Sequence, residues 1–426
     1  MPRSRFEFAL LLLAALAMAA CHPRVDMPQV GVYRAVLRLP GGDTPFGFEI
    51  AQEQEQYVVY LTNSTERTRV SNVRVANGEL TAFFPGYENW MRATLHRNSL
   101  EGSVTLIKAG GKEQVIPFTA KLGETYRFYA STATDNADVA GTWEATFTNA
   151  EGTASKALLL LEQQHDRVTG SVMTPTGDHR FLEGQMRGDE LQLSTFAGGL
   201  AYLYRLKVAA DGALQGDYWQ GLAAHETVAA HRNDVATLDG AGKQTAMRDA
   251  DQPLDFTFPD VDGKPVSLSD PRFRGKVVLV TLGGTWCPNC HDEARFLVPF
   301  YREYRERGFE VVALMFERHG DFGKAARAVR GYRKDLGIEF PTLVAGLSET
   351  DEASKALPML NGIYGYPTAI LVDRDGRVQS IHTGFAGPAT GRHHEEYVRE
   401  FRDEVEQLPA GDAHRIGHNE SLGRSS

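Results

Sequence analysis

The chain has 426 residues, of which 42% are hydrophobic and 23% charged, and a formal net charge of −10. That acidic balance argues against a nucleic-acid partner, and the length calls for more than one domain with substantial cores. Three cysteines are too few for a disulfide-built scaffold.

At the start, Arg3 and Arg5, an apolar run over 8–17 and Met18-Ala19-Ala20 before Cys21 have the layout of a signal peptide over 1–20. Met18-Ala19-Ala20-Cys21 resembles a bacterial lipobox, with Met18 where Leu is usual. The resemblance implies cleavage before Cys21, lipidation of its sulfur and a short tether over 21–29. Such an anchor holds a domain at a membrane without spanning it, and no later stretch reads as a transmembrane helix. The expected location is extracytoplasmic. His22, in place of the Asp of an inner-membrane retention signal, points to the outer membrane.

Residues 30–232 read as short strands broken by Gly, Asn and Asp. Alternation places Tyr33, Ala35 and Leu37 on one face. The stretch also repeats: Gly31-x-Tyr33-x-Ala35 recurs as Gly141-x-Trp143-x-Ala145, Glu79-Leu80 as Glu190-Leu191, and Leu100-x-Gly102 as Leu214-x-Gly216. Nearly constant offsets indicate duplication, so two all-β units are expected, over 30–130 and 138–232, packed as a sandwich or closed into a barrel. Trp90, Trp143 and Trp219 read as core or lining. His165, His179, His225 and His231 lack metal-ligand spacing, and the module reads equally as a spacer, a docking surface or a ligand-binding barrel. Residues 233–252 form a polar linker, and 409–426 a disordered tail.

Residues 253–408 alternate strand and helix. Strands are expected at 254–258, 277–282, 309–316, 368–372 and 378–383, with a turn at Asp262-Gly263-Lys264 and another at Asp373-Arg374-Asp375-Gly376. Helices are expected at 296–305, 323–336, 349–357 and 395–408.

The chemistry lies where the strand at 277–282 meets the following helix, at Trp286-Cys287-Pro288-Asn289-Cys290-His291. A helix N-terminus stabilises a thiolate, so Cys287, the outer sulfur, is the expected nucleophile and Cys290, one turn in, the shielded resolving thiol. Other readings compete. The stretch also spells the covalent haem-attachment pattern, with His291 as axial ligand. Zinc would need more thiolates than remain, and a purely structural disulfide would close only a tiny loop.

Gly275-Lys276-Val277-Val278-Leu279-Val280, Trp286-Cys287-Pro288-Asn289-Cys290, Phe340-Pro341, Tyr364-Gly365-Tyr366-Pro367-Thr368 and Leu371-Val372-Asp373-Arg374-Asp375-Gly376 together resemble the thioredoxin fold, in its membrane-tethered TlpA/ResA-like branch. The likeness covers about 253–408 and says nothing of 30–232. It implies that Pro367 is the family's cis-proline beside the dithiol, that the Tyr366 backbone pairs with an extended substrate, and that Trp286 covers the dithiol and shapes the docking surface. Thioredoxins proper carry a buried Asp six residues before the first cysteine, where this chain has Thr281. Proton transfer to Cys290 therefore needs another group, for which Glu317 is the candidate, with His291 and Asp292 as alternatives. Peroxiredoxins share the fold, but their Thr-x-x-Cys would need Thr at position 284 or 287, where Gly284 and Cys287 stand.

The expectation is an extracytoplasmic, membrane-anchored protein disulfide reductase acting through Cys287 and Cys290, with no cofactor beyond its own redox-active disulfide and no metal. Its expected partners are protein disulfides or dithiols, a membrane electron donor, and the membrane itself through lipid on Cys21. The alternatives are a binding protein whose β module does the main work with the redox domain accessory, and a c-type haem protein.

Overall fold

The computed structural model describes residues 27–132, 135–238 and 242–408. The expected signal peptide, Cys21 and the C-terminal tail lie outside these residues.

The first β unit is a nine-stranded antiparallel sheet that runs from Gly31–Leu39 to Lys112–Leu122. It curls until its first strand pairs with its last, Tyr33 opposite Leu122 and Leu37 opposite Phe118. The expected inward face is the observed one, because Tyr33, Ala35 and Leu37 are buried. The second unit repeats this plan from Gly141–Asn149 to Ala224–Arg232. There the ring is closed by hydrogen bonds, since Arg167–Thr174 pairs with Ala154–Gln164 on one side and Leu182–Arg187 on the other. The units are barrel-like, and in the second, closure removes the open edges that a flat sheet would expose.

One detail ties the repeat to packing. Tyr33 donates its hydroxyl to the carbonyl of Gln29 at 2.7 Å, and Trp143, its counterpart, donates its indole N–H to Val139 at 2.9 Å, again four residues back. A buried aromatic with a polar tip needs such a partner. The two units also share a core. Phe196 of the second reaches into the first, with ring centroids 5.1 Å from Phe46 and 5.3 Å from Phe84.

The C-terminal domain is an α/β thioredoxin-like fold. Its five-stranded sheet has the order Thr342–Leu347, Phe309–Glu317, Val277–Gly283, Thr368–Val372, Val378–Thr383. The central strand, Val277–Gly283, is buried along its whole length, as its mainly apolar run requires. Val277 and Leu279 face the helices Pro288–Tyr304, Phe322–Leu336 and Arg392–Gln407, while Val278, Val280 and Leu282 face the short helix Thr350–Ala356 and the segment bearing Leu254 and Phe256.

Two expectations need correction. The helix after the dithiol begins at Pro288 rather than 296, because proline at the first helical position gives up only an N–H that has no intrahelical acceptor. The stretch read as a linker is partly fixed to this domain: Met247 bridges to Leu360, and Thr245 donates its N–H to the Thr383 hydroxyl at 3.1 Å. Among the described residues no helix is long and apolar enough to cross a membrane.

Candidate active site

The central strand delivers the chain to a turn, Gly284-Thr285, that is held rigidly. Thr285 donates its N–H and hydroxyl to the Glu317 carboxylate at 3.0 and 2.7 Å. Trp286 donates its indole N–H to the Phe316 carbonyl at 2.9 Å, and the Arg318 guanidinium lies 3.9 Å above the indole ring. Glycine is required at 284, because a Cβ there would stand 2.3 Å from the Trp286 indole nitrogen and 2.6 Å from the Phe316 oxygen.

Cys287 then caps the helix Pro288–Tyr304 with its own side chain. Its sulfur accepts the Cys290 N–H at 3.2 Å, and the two sulfurs are joined as a disulfide with Cα atoms 5.3 Å apart. When this bond is reduced, the same N–H and the helix N-terminus face the Cys287 sulfur and favour its thiolate. The Tyr366-Pro367 peptide is cis, and the Tyr366 carbonyl oxygen is 3.5 Å from the Cys287 sulfur. Trp286 meets Tyr366 edge to face at 5.5 Å. The structure thus brings Trp286, Cys287, Cys290, Tyr366 and Pro367 together.

The proton-transfer candidates separate. Glu317 is fully buried rather than sitting exposed at a strand end, because the Thr285 turn folds over it; burial pushes its carboxyl up to about 7. Both of its oxygens are taken by Thr285. His291 donates Nε2–H to the Thr285 carbonyl at 2.8 Å, and its ring is stacked on Tyr87 and met edge-on by Tyr332; burial holds it well below the usual histidine range. Asp292 is bound by Arg180 and Arg295.

Sequence reasoning passed over Glu293. It is buried, accepts the Thr281 hydroxyl at 2.5 Å, and lines one small enclosed cavity with Cys290 and Thr281. Burial raises its carboxyl to about 7, with the Thr281 hydrogen bond opposing. A carboxyl reaching in from the helix therefore stands against the side chain that replaces the usual aspartate. The signal was available: Glu293 is three residues after Cys290, on the same side of the helix.

Both sulfurs are covered. Cys287 is 4% and Cys290 3% exposed, so the expected contrast between an outer and a shielded sulfur is absent. The β module packs against the residues between and beside them. Asp178 accepts the Asn289 side-chain amide at 3.2 Å and the Gly387 N–H at 2.7 Å, and Arg180 donates to the Pro288 carbonyl at 3.2 Å. Tyr87 lies flat on His291, with centroids 3.8 Å apart. Among the described residues no cluster of His, Cys, Asp and Glu is arranged to hold a metal ion.

The C-terminal domain is similar to known proteins. The Redoxin family model matches residues 249–396. The thiol-disulfide oxidoreductase ResA of Bacillus thuringiensis subsp. konkukian is 30% identical over 160 residues, which cover 37% of this chain and 82% of that protein. ResA of Bacillus subtilis is 29% identical over 144 residues, 34% of this chain and 72% of that protein. A solved thiol:disulfide interchange protein of the thioredoxin family from Chlorobium tepidum is 26% identical, covering 38% of this chain and 99% of that one, with a TM-score of 0.29.

Proposed function

Through its C-terminal domain the chain belongs to the ResA-like thiol-disulfide oxidoreductases, and from that premise we propose that it is a protein disulfide reductase working outside the cytoplasm through Cys287 and Cys290. The observation that carries this reading is the Cys287 sulfur at the helix N-terminus, which receives the Cys290 N–H beside the Tyr366 carbonyl.

In the reduced enzyme the Cys287 thiolate attacks one sulfur of a substrate disulfide. The substrate S–S bond breaks, its distal sulfur leaves as a thiolate that takes up a proton, and an enzyme–substrate mixed disulfide remains. Cys290 loses its proton to the Glu293 carboxylate and attacks the Cys287 sulfur. The second substrate thiolate departs and is protonated, leaving two substrate thiols and the Cys287–Cys290 disulfide seen here. Two electrons have passed from enzyme to substrate, and a membrane dithiol donor restores the enzyme. Tyr366 and Pro367 line the docking surface, with Trp286 as its wall. Glu317 fixes the turn before Cys287 through Thr285, and it is the second carboxyl available for proton movement.

The packing of His291 favours this reading over haem attachment. Its Nε2 is committed to Thr285, and its ring lies between Tyr87 and Tyr332. The extracytoplasmic location and lipid anchor rest on the lipobox-like Met18-Ala19-Ala20-Cys21 segment.

Two measurements test the proposal. The purified chain should reduce insulin disulfides and show a two-electron midpoint potential for the Cys287–Cys290 couple; absence of both removes the reading. Cys21→Ser should release the protein from the membrane fraction, and a variant that stays bound, with no lipid mass on the wild type, removes the anchor.

A further inference from the structure

The β module touches every residue between the two cysteines. The turn Gly177–Arg180 contacts Pro288, Asn289 and Asp292. Arg180 is 6% exposed, and its guanidinium pairs with Asp292 of the redox helix and Glu66 of the first β unit while bonding the Pro288 carbonyl. Asp178 takes the Asn289 amide and the Gly387 N–H, and its orientation is set by the Arg180 N–H at 2.6 Å. Gly177 and Gly199 permit the close approach. A Cβ on Gly177 would stand 2.8 Å from the Asn289 side chain, and one on Gly199 would stand 3.0 Å from the Pro288 ring.

This interface differs in kind from the one between the two β units. Those units share an apolar core, with Phe196, Ala201 and Leu203 of the second buried among the residues of the first. The apolar clusters of the C-terminal domain contain no residue of either β unit. What joins the redox domain to the β module is mostly charged and hydrogen-bonded, the composition of a separable contact rather than of a divided core. Disulfide exchange needs an incoming thiolate to reach a sulfur, and both Cys287 and Cys290 are buried here.

We propose that the paired β units form a gate over the dithiol, held shut by Arg180 and Asp178 on Pro288, Asn289 and Asp292, and that protein thiols and disulfides reach Cys287 only when this interface parts. The β module is then a selector of redox partners, and Arg180 is the residue that sets how readily the gate opens. Removing it leaves Asp292 and Glu66 facing each other across the interface without their shared cation, a costly arrangement when buried. The inference rests on Cys287 and Cys290 being the working couple.

The test uses the oxidised, full-length mature chain and compares two reductants: a small neutral phosphine and a reduced thioredoxin, which is a protein dithiol. In wild type the phosphine should reduce Cys287–Cys290 readily and thioredoxin slowly. In Arg180→Ala the thioredoxin rate should rise at least about tenfold, from the loss of a buried pairing, and the phosphine rate by less than about threefold. Arg180→Lys should lie between. Tyr87→Ala, which removes the ring from His291 without unpairing a charge, is the second variant should Arg180→Ala fail to fold. A thioredoxin-to-phosphine ratio unchanged in the folded variants overturns the gate while leaving the oxidoreductase reading intact. A wild-type disulfide that neither reductant can reduce overturns the oxidoreductase reading itself.

Discussion

Thr281 donates its hydroxyl to the Glu293 carboxylate across 2.5 Å, and both residues line the cavity beside Cys290. A carboxyl titrating near 7 in that position is matched to taking a proton from a thiol at neutral pH. Its base form is present above about pH 7, so resolution of the mixed disulfide should accelerate as pH rises through that value. Glu293→Gln should slow resolution by about a hundredfold, within the usual range for a general base, and remove the ionisation near 7 from the profile. Rapid-quench measurement of the mixed disulfide against pH checks this, and a profile unchanged in the Gln variant would show that another group moves the proton.

The same burial makes stability depend on pH. Glu293 and Glu317 are both raised from 4.5 to about 7, in each case chiefly by burial. A carboxyl whose folded value lies above its unfolded one contributes stability that is complete below about pH 4.5 and is lost as pH rises through about 7. Each is worth up to roughly 3 kcal/mol across that window. Buried His179 and His291, held below their ordinary value, act in the opposite sense up to about pH 6.5, so denaturant midpoints of the oxidised protein should fall between pH 6.5 and pH 8.5, and Glu317→Gln should flatten part of the fall. A midpoint that rises over this range would contradict the assignment.

A third expectation concerns the turn that aims the dithiol. Gly284→Ala sets a methyl against the Trp286 indole nitrogen and the Phe316 carbonyl, and the latter is backbone that cannot swing aside. Trp286 should lose its bond to Phe316, and the chain should lose about 1–3 kcal/mol, the usual cost of overpacking. The check is the denaturant midpoint together with insulin reduction; an unchanged midpoint would mean that the turn relaxes freely.

What could be read in advance was local. The mainly apolar run at Val277–Gly283 followed by two cysteines a helical turn apart places a dithiol at a strand–helix junction, and the Tyr33 and Trp143 repeats announce two similar β units. Each signal lies within a few residues of chain. Arg180 and Asp292, by contrast, are separated by 112 positions, and Tyr87 and His291 come from different domains. No periodicity marks such pairs, because they are set by how finished domains meet. The burial of Glu317 was not legible for a related reason. A carboxylate at a strand end is usually solvated, and only the Thr285 turn, which supplies two donors, makes its burial tolerable.

The division of labour between the cysteines gives the last prediction. Cys287 caps the helix and receives the Cys290 N–H, whereas Cys290 lies in the cavity with Glu293 and receives no such donor from the helix terminus. Reduced, Cys287 should be alkylated with an apparent pKa below the roughly 8.5 of a free thiol, and Cys290 far more slowly. Cys290→Ala removes the resolving thiol but keeps the nucleophile at the helix terminus, so mixed disulfides should accumulate on Cys287 and vanish with reductant on gels. Cys287→Ala should trap nothing and abolish turnover, and it should also cost about 1 kcal/mol through loss of the cap. If the β module gates access, adding Arg180→Ala to Cys290→Ala should increase the yield of trapped protein partners without shifting them to another site. Adducts that collect on Cys287→Ala would reverse the two roles, because they would show Cys290 attacking from within a cavity that this geometry reserves for resolution.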